Sequence, residues 1–129
     1  MVRVLQGLLV MVMMIFSSPA WANKRVALVV GNAAYQHATP LINAVNDARD
    51  VAAALTELGF EVVYGADVDK RAFDLKIREF AGVLERADVG LFFYAGHALQ
   101  VKGMNYLVAT DAKLELPGSS SCSPSWRGR

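Results

Sequence analysis

The chain has 129 residues, with 13 basic and 12 acidic side chains and a single cysteine. That length holds one domain, and the near-balance of charge excludes a basic field that would recruit nucleic acid or anionic lipid. One thiol excludes an internal disulfide, so the core has to hold without covalent help.

Residues 1–22 read as a targeting segment rather than as part of a fold. Arg3 precedes an apolar stretch from about Val4 to Phe16, and the segment closes on Ala20-Trp21-Ala22. This is the pattern of a secretory signal peptide. The apolar run falls short of the roughly 20 residues that span a bilayer. The expectation is an exported protein, periplasmic or secreted, with no stable membrane insertion after cleavage; the alternative is an uncleaved N-terminal anchor. About 107 residues then remain, at the small end of what buries a workable core.

From there strands and helices alternate. "KRVALVVGN" carries a continuous apolar run, Val26 to Val30, ending at Gly31, as expected of a strand buried on both faces. A loop with Pro40 follows. From Ala44 the apolar residues Val45, Ala48, Val51, Ala52, Leu55 and Leu58 recur at spacings of three and four, which predicts a helix. Asn43 or Asn46 is placed to cap it, and Gly59 to end it. "FEVVY" predicts a second strand stopped at Gly65. "DKRAFDLKIREFAGVLERA" predicts a second helix with Phe73, Ile77, Phe80, Ala81 and Leu84 on one face, and "DVGLFFYAG" a third strand. The order β-α-β-α-β with short links implies an α/β fold whose parallel sheet has the first strand at its centre. Beyond it, Leu99–Val101 and Asn105–Val108 read as a β-hairpin about Lys102-Gly103. The stretch after Leu116 is crowded with Ser, Gly and Pro and has no apolar pattern with which to join a core.

In such sheets the usable crevice lies at the carboxyl ends of the strands, and His97 falls there, behind Ala95-Gly96. Read from its surroundings alone, His97 is either a strand-end histidine with a satisfied ring or a general acid-base. Gly96 and Ala98 beside it either make a tight turn or leave room for a substrate carbonyl to reach the backbone N–H groups. Asp47, in the first turns of the first helix, either complements the helix dipole or faces the same crevice and selects a basic group. Tyr35 and His37 lie on the loop that leads there, His37 as a surface residue. "GNAAY" matches no nucleotide-binding pattern, and no carboxylates cluster at metal-loop spacing, so neither cofactor nor metal is expected. Cys122 sits among serines with no helix or strand pattern, a poor setting for a catalytic thiol.

Taken together, "KRVALVVGNAAY", "LINAVNDARDVAAALTELGFEV" and "LFFYAGHALQVKGMNYLVATDA" closely resemble the caspase-like cysteine peptidases of bacteria (peptidase C14), relatives of metacaspases and paracaspases. The resemblance covers about residues 24 to 113. It implies a mostly parallel sheet of flavodoxin-like order flanked by helices, and peptide-bond hydrolysis by a cysteine–histidine dyad. His97 matches the family's catalytic histidine. Asp47 matches an acidic residue that, in the branches directed at Arg or Lys, helps bind the side chain before the scissile bond. Ala98 departs from the commoner glycine after the histidine. The family carries its nucleophile on a further strand ending in an Asp-x-Cys motif, and no such motif follows here. After the signal peptide read over 1–22, the resemblance implies a partial caspase-like domain over 24–116, incomplete at its C-terminus, with a disordered or out-of-frame tail over 117–129. The expected function is the N-terminal part of an endopeptidase, inactive as written. The alternatives are a non-catalytic module that binds basic peptides or a protein partner, and a fragment that barely folds.

Overall fold

The computed structural model describes residues 23–113; the expected signal peptide, and the tail with Cys122, lie outside the described residues. Strand β1 (Arg25–Gly31) forms the centre of a three-stranded sheet, flanked by β2 (Phe60–Ala66) and β3 (Val89–Ala95). Both pairings are parallel and in step: Arg25 lies opposite Phe60 and Val89, and Gly31 opposite Ala66 and Ala95. The carboxyl ends of all three strands are therefore flush. Val26 to Val30 are all buried, as a strand covered on both faces requires.

Helix α1 (Ala44–Glu57) covers one face, packing Ala48 and Leu55, with Val51 and Ala52, against Ala27 and Val29. Helix α2 (Lys70–Leu84) covers the other, where Phe73 meets Leu28, Val30 and Val63. Burying a side chain of this size stabilises by roughly 1.5–3 kcal/mol. The two helix starts differ. Asn43 occupies the N-cap position of α1, but its side chain makes no capping bond. At α2, Asp69 accepts from the Ala72 N–H at 2.7 Å and Asp111 from the Lys70 N–H at 2.9 Å, so two of the free donors of the first turn are satisfied.

The inner face of α2 is not the one the apolar spacing predicts. Phe73 is buried and Phe80 half-buried, but Ile77 and Ala81 are exposed and Leu84 largely so, and Ala72 and Val83 take their place against the core. Helix α2 sits over β1 and β2, whose Leu28, Val30 and Val63 meet Phe73, and among the described residues nothing pairs with the outer edge of β3. Phe92, on the same face of β3, is 49% exposed.

Strands β4 (Ala98–Val101) and β5 (Met104–Leu107) form a separate antiparallel hairpin, each one residue ahead of the expected bounds at its start. Lys102 and Gly103 both take positive φ, 51° and 78°, the two-residue turn whose twist matches that of the strands. From β5 the polypeptide returns to the sheet. Val108, Ala109 and Thr110 are buried, and they cross the carboxyl ends of the strands through Thr110 N–H to Val68 C=O at 3.1 Å and Gln36 N–H to Thr110 C=O at 2.8 Å. Among the described residues no helix is long and apolar enough to cross a membrane.

Candidate active site

The site is assembled where the three strands end. After β1 the backbone is held by Asn32, which is fully buried. Its backbone N–H donates to Ala95 C=O at 2.8 Å. Its side-chain oxygen accepts from the Val68 N–H at 2.9 Å, and its amide donates to Val108 C=O at 3.2 Å and Val68 C=O at 3.4 Å. One side chain thus joins the ends of β1 and β2 to the segment returning from the hairpin. Asp67 fastens the same region from β2. Its carboxylate accepts from the Ala33 and Ala34 N–H groups at 2.7 and 2.9 Å, with its backbone left-handed at φ 49°, a conformation Asp tolerates better than most residues.

The loop fixed in this way delivers Tyr35 and Thr39 to His97. Nε2 of His97 is 2.8 Å from Thr39 C=O. A carbonyl only accepts, so the neutral ring carries its proton on Nε2 and leaves the Nδ1 lone pair free. The Tyr35 ring lies against the imidazole, with centroids 4.5 Å apart at 48°. Its hydroxyl accepts the His97 backbone N–H at 2.7 Å. Tyr94, on β3, places its hydroxyl 3.1 Å from that of Tyr35, 2.8 Å from Val108 C=O and 3.0 Å from His97 C=O. Phe73 of α2 stacks on the Tyr94 ring at 6.1 Å. Burial, and then the Tyr35 hydroxyl beside it, push the Tyr94 phenol well above its ordinary pKa.

Gly96 is small for a reason the sequence does not disclose. A Cβ there would fall 2.5 Å from both tyrosine hydroxyls, so the space beside its Cα is occupied by the protein itself. Ala98 is exposed. The Val108 N–H donates to His97 C=O at 3.0 Å, and Ala98 faces Leu107 across the hairpin. The alternation of an antiparallel ladder therefore turns the Ala98 N–H away from β5. With the His97 N–H taken by Tyr35, Ala98 is the free backbone donor beside the imidazole.

Asp47 lies in the first turn of α1, exposed, at the same end of the sheet. Its carboxylate makes no hydrogen bond or ion pair with the described residues, and it does not touch His97. Gly31 sets its position: a Cβ there would fall 2.6 Å from Ala44 C=O and from the Ala48 Cβ, so α1 starts in direct contact with the end of β1. His37 is exposed and takes no part in the site. An open cleft of about 520 Å³ over the first turns of α2, lined by Lys70, Arg71, Asp74, Leu75, Arg78 and Asp111, contains none of these groups. Among the described residues no three His, Cys, Asp or Glu side chains are grouped to hold a metal ion.

Sequence reasoning identifies His97, Gly96, Ala98, Asp47 and Tyr35 as residues at the strand ends. It misses Asn32, Thr39, Asp67 and Tyr94. Tyr94 had a signal, since a hydroxyl closing an otherwise apolar strand needs a partner once buried. Thr39 had none, because it acts through its backbone.

A histidine on the carboxyl edge of a parallel α/β sheet, its ring oriented by a backbone carbonyl with one nitrogen left free, has the geometry of a general acid-base. The caspase domain family model matches residues 24–129, and the protein belongs to that family. Over 91 residues, 70% of its length, it is 31% identical to human mucosa-associated lymphoid tissue lymphoma translocation protein 1 and equally to the mouse homolog. It spans 11% of the length of those relatives. The domain is thus a caspase-like peptidase domain.

Proposed function

We propose that this domain supplies the histidine base and the basic-residue pocket of a cysteine-type endopeptidase that cleaves after Arg or Lys. The observation that carries the reading is the His97 ring, which rests its Nε2 on Thr39 C=O and leaves Nδ1 free to accept a proton. In the reaction Nδ1 takes the proton of a cysteine thiol, and the thiolate attacks the scissile carbonyl carbon. The Ala98 N–H donates to the oxyanion that forms. The imidazolium then gives its proton to the leaving amine, and water, deprotonated by the same ring, hydrolyses the thioester. Asp47, an unpaired carboxylate at the same end of the sheet, receives the Arg or Lys side chain. Charge is a strong discriminator at such a site, because an acidic substrate side chain meets repulsion instead.

The described residues contain neither cysteine nor serine. The nucleophile in this reading is a cysteine outside them, brought to the open edge of β3. Cys122 lies outside the described residues, in a serine-rich sequence without the helix or strand pattern expected around a catalytic thiol, so the 129-residue protein alone is proposed to bind and not to cut. The reading also has the protein exported, with residues 1–22 as its signal peptide.

The test is binding of two peptides that differ only in ending on Arg or Glu, with turnover followed in parallel by a fluorogenic Arg substrate. The expected result is preferential binding of the Arg peptide, weakened about tenfold or more (~1.4 kcal/mol) by Asp47→Ala, without cleavage. Equal binding of both peptides would remove Asp47 from the pocket. Cleavage that Cys122→Ala abolishes would show that the protein supplies its own nucleophile. Preferential binding that persists unchanged in a longer, thiol-bearing form with no turnover would favour a non-catalytic module.

A further inference from the structure

His97 is held by more than its ring nitrogen. Its backbone N–H donates to the Tyr35 hydroxyl at 2.7 Å, and its backbone carbonyl lies 3.0 Å from the Tyr94 hydroxyl. The two hydroxyls are 3.1 Å apart, and Tyr94 also reaches Val108 C=O at 2.8 Å. Counting protons gives these bonds a direction. Each phenol has one proton to donate. Tyr94 faces two carbonyls that can only accept, so its proton goes to them. Tyr35, which already accepts from His97, donates to Tyr94. The relay of bonds runs from His97 N–H through Tyr35 and Tyr94 to the carbonyls, with no member unsatisfied. Reversing the central bond would point a phenol lone pair at both carbonyls, an arrangement costly in a partly buried site.

Two further facts make this a built feature rather than a chance meeting of hydroxyls. The first is Gly96, whose missing Cβ leaves the volume that both hydroxyls share. The second is that Tyr35 touches His97 twice, by hydroxyl to the backbone and by ring to the imidazole. It also belongs to the same loop as Thr39, which is closed by Leu41 N–H to Ala33 C=O at 3.0 Å. Moving Tyr35 therefore moves the backbone of His97, the face of its ring and the carbonyl that fixes its tautomer.

We propose that Tyr35 and Tyr94 are the positioning residues of His97: their paired hydroxyls fix its backbone, and the Tyr35 ring keeps the imidazole turned so that Nε2 stays on Thr39 and Nδ1 faces the nucleophile. This deepens the reading of His97 as the base and rests on it for its catalytic meaning, though the clamp itself is a property of the ring. Neither tyrosine reaches a reacting atom.

The experiment is nitrogen-15 NMR of the imidazoles in the 129-residue protein, which has two histidines. Exposed His37 serves as the internal reference. In the unaltered protein His97 should show widely separated Nδ1 and Nε2 shifts, as a single Nε2–H tautomer does, while those of His37 are averaged. Tyr35→Phe keeps the ring and removes only the hydroxyl, and Tyr94→Phe does the same on β3. Each should narrow the His97 separation towards that of His37, with the cooperative thermal transition retained and His37 unmoved. Tyr35→Leu, which also removes the ring contact, should narrow it further. Folded phenylalanine variants with an unchanged His97 separation would overturn the proposal. So would loss of the cooperative transition in both, because the hydroxyls would then be holding the fold rather than the ring. The readout needs no turnover, so failure of the peptidase reading, seen as peptide binding indifferent to Asp47, stays distinguishable from failure of the clamp.

Discussion

The imidazole of His97 takes its orientation from the backbone carbonyl of Thr39, 2.8 Å from Nε2, and not from the threonine hydroxyl. Pro40 follows Thr39, and the residue before a proline is driven out of the helical region into an extended backbone. The carbonyl is thus aimed by the proline ring. Thr39→Ala should leave the His97 nitrogen shifts where they are, whereas Pro40→Gly should move them towards averaged values. The glycine also loosens the unfolded state and should cost about 0.4–1 kcal/mol of stability. A Thr39→Ala shift as large as that of Pro40→Gly would mean the hydroxyl matters and the carbonyl does not.

Tyr94 makes a prediction at alkaline pH. Burial and the adjoining Tyr35 hydroxyl raise its pKa in the folded protein, while in the unfolded state it ionises near its ordinary value of about 10. Below that value both states are protonated, and the contribution to stability is fully present. Above it the unfolded state has lost a proton that the native protein keeps, so stability falls as pH rises towards the folded value. Ultraviolet titration of phenolate among the four tyrosines should therefore show one that ionises only as the fold is lost. Tyr94→Phe should remove that late phase. Its survival in Tyr94→Phe would assign the late phenol to another residue.

How far the fold could be read in advance depends on what each residue does. Val26 to Val30 announce a central strand because both faces of that strand are buried, and the three- and four-residue spacing from Ala44 announces α1 because one face of it is. The same reasoning misplaces the inner face of α2, since Ile77 and Leu84 satisfy the spacing but lie exposed, while Ala72 and Val83 reach the core. Periodicity reports which residues could share a face, not which of the possible faces the sheet covers. At the site, His97 stands out by its chemistry and its place after a strand. Asn32 resembles an ordinary turn residue until Val68 and Val108 arrive from distant parts of the sequence to meet its amide, and Gly96 looks like a turn glycine until two phenols fill the space beside it.

Asn32 is accordingly the residue whose loss should cost most for its size. Asn32→Ala leaves the buried Val68 N–H without its side-chain acceptor, while the Val108 C=O loses the amide but keeps the Tyr94 hydroxyl. An orphaned donor of this kind costs about 1–3 kcal/mol. Asn32→Asp keeps the acceptor for Val68 N–H but puts a carboxylate oxygen against Val108 C=O, and should be no better tolerated. Denaturant unfolding should show both variants several-fold to hundreds-fold less favourable in the folding equilibrium. A loss confined to a few tenths of a kcal/mol would show that water replaces the amide.

Gly31 tests whether the contact between β1 and α1 sets the position of Asp47. A Cβ at Gly31 meets Ala44 C=O and the Ala48 Cβ at 2.6 Å, and the Val45 Cα at 3.0 Å. None of these is the free end of a flexible side chain, so Gly31→Ala can be accommodated only by moving the first turn of α1 away from the strand. Overpacking of this kind costs about 1–3 kcal/mol, which in a domain of this size lowers Tm by roughly 4–8 °C per kcal/mol. Asp47 rides on that turn, and the Asn43 side chain forms no cap to hold it in place. Binding of an Arg-terminated peptide should therefore weaken several-fold in Gly31→Ala, although Gly31 does not touch the carboxylate. Gly31→Ala with full peptide affinity and a lowered Tm would mean that the helix yields elsewhere and that Asp47 is positioned independently of β1. An unchanged Tm would mean that the close approach of strand and helix is not rigid at all.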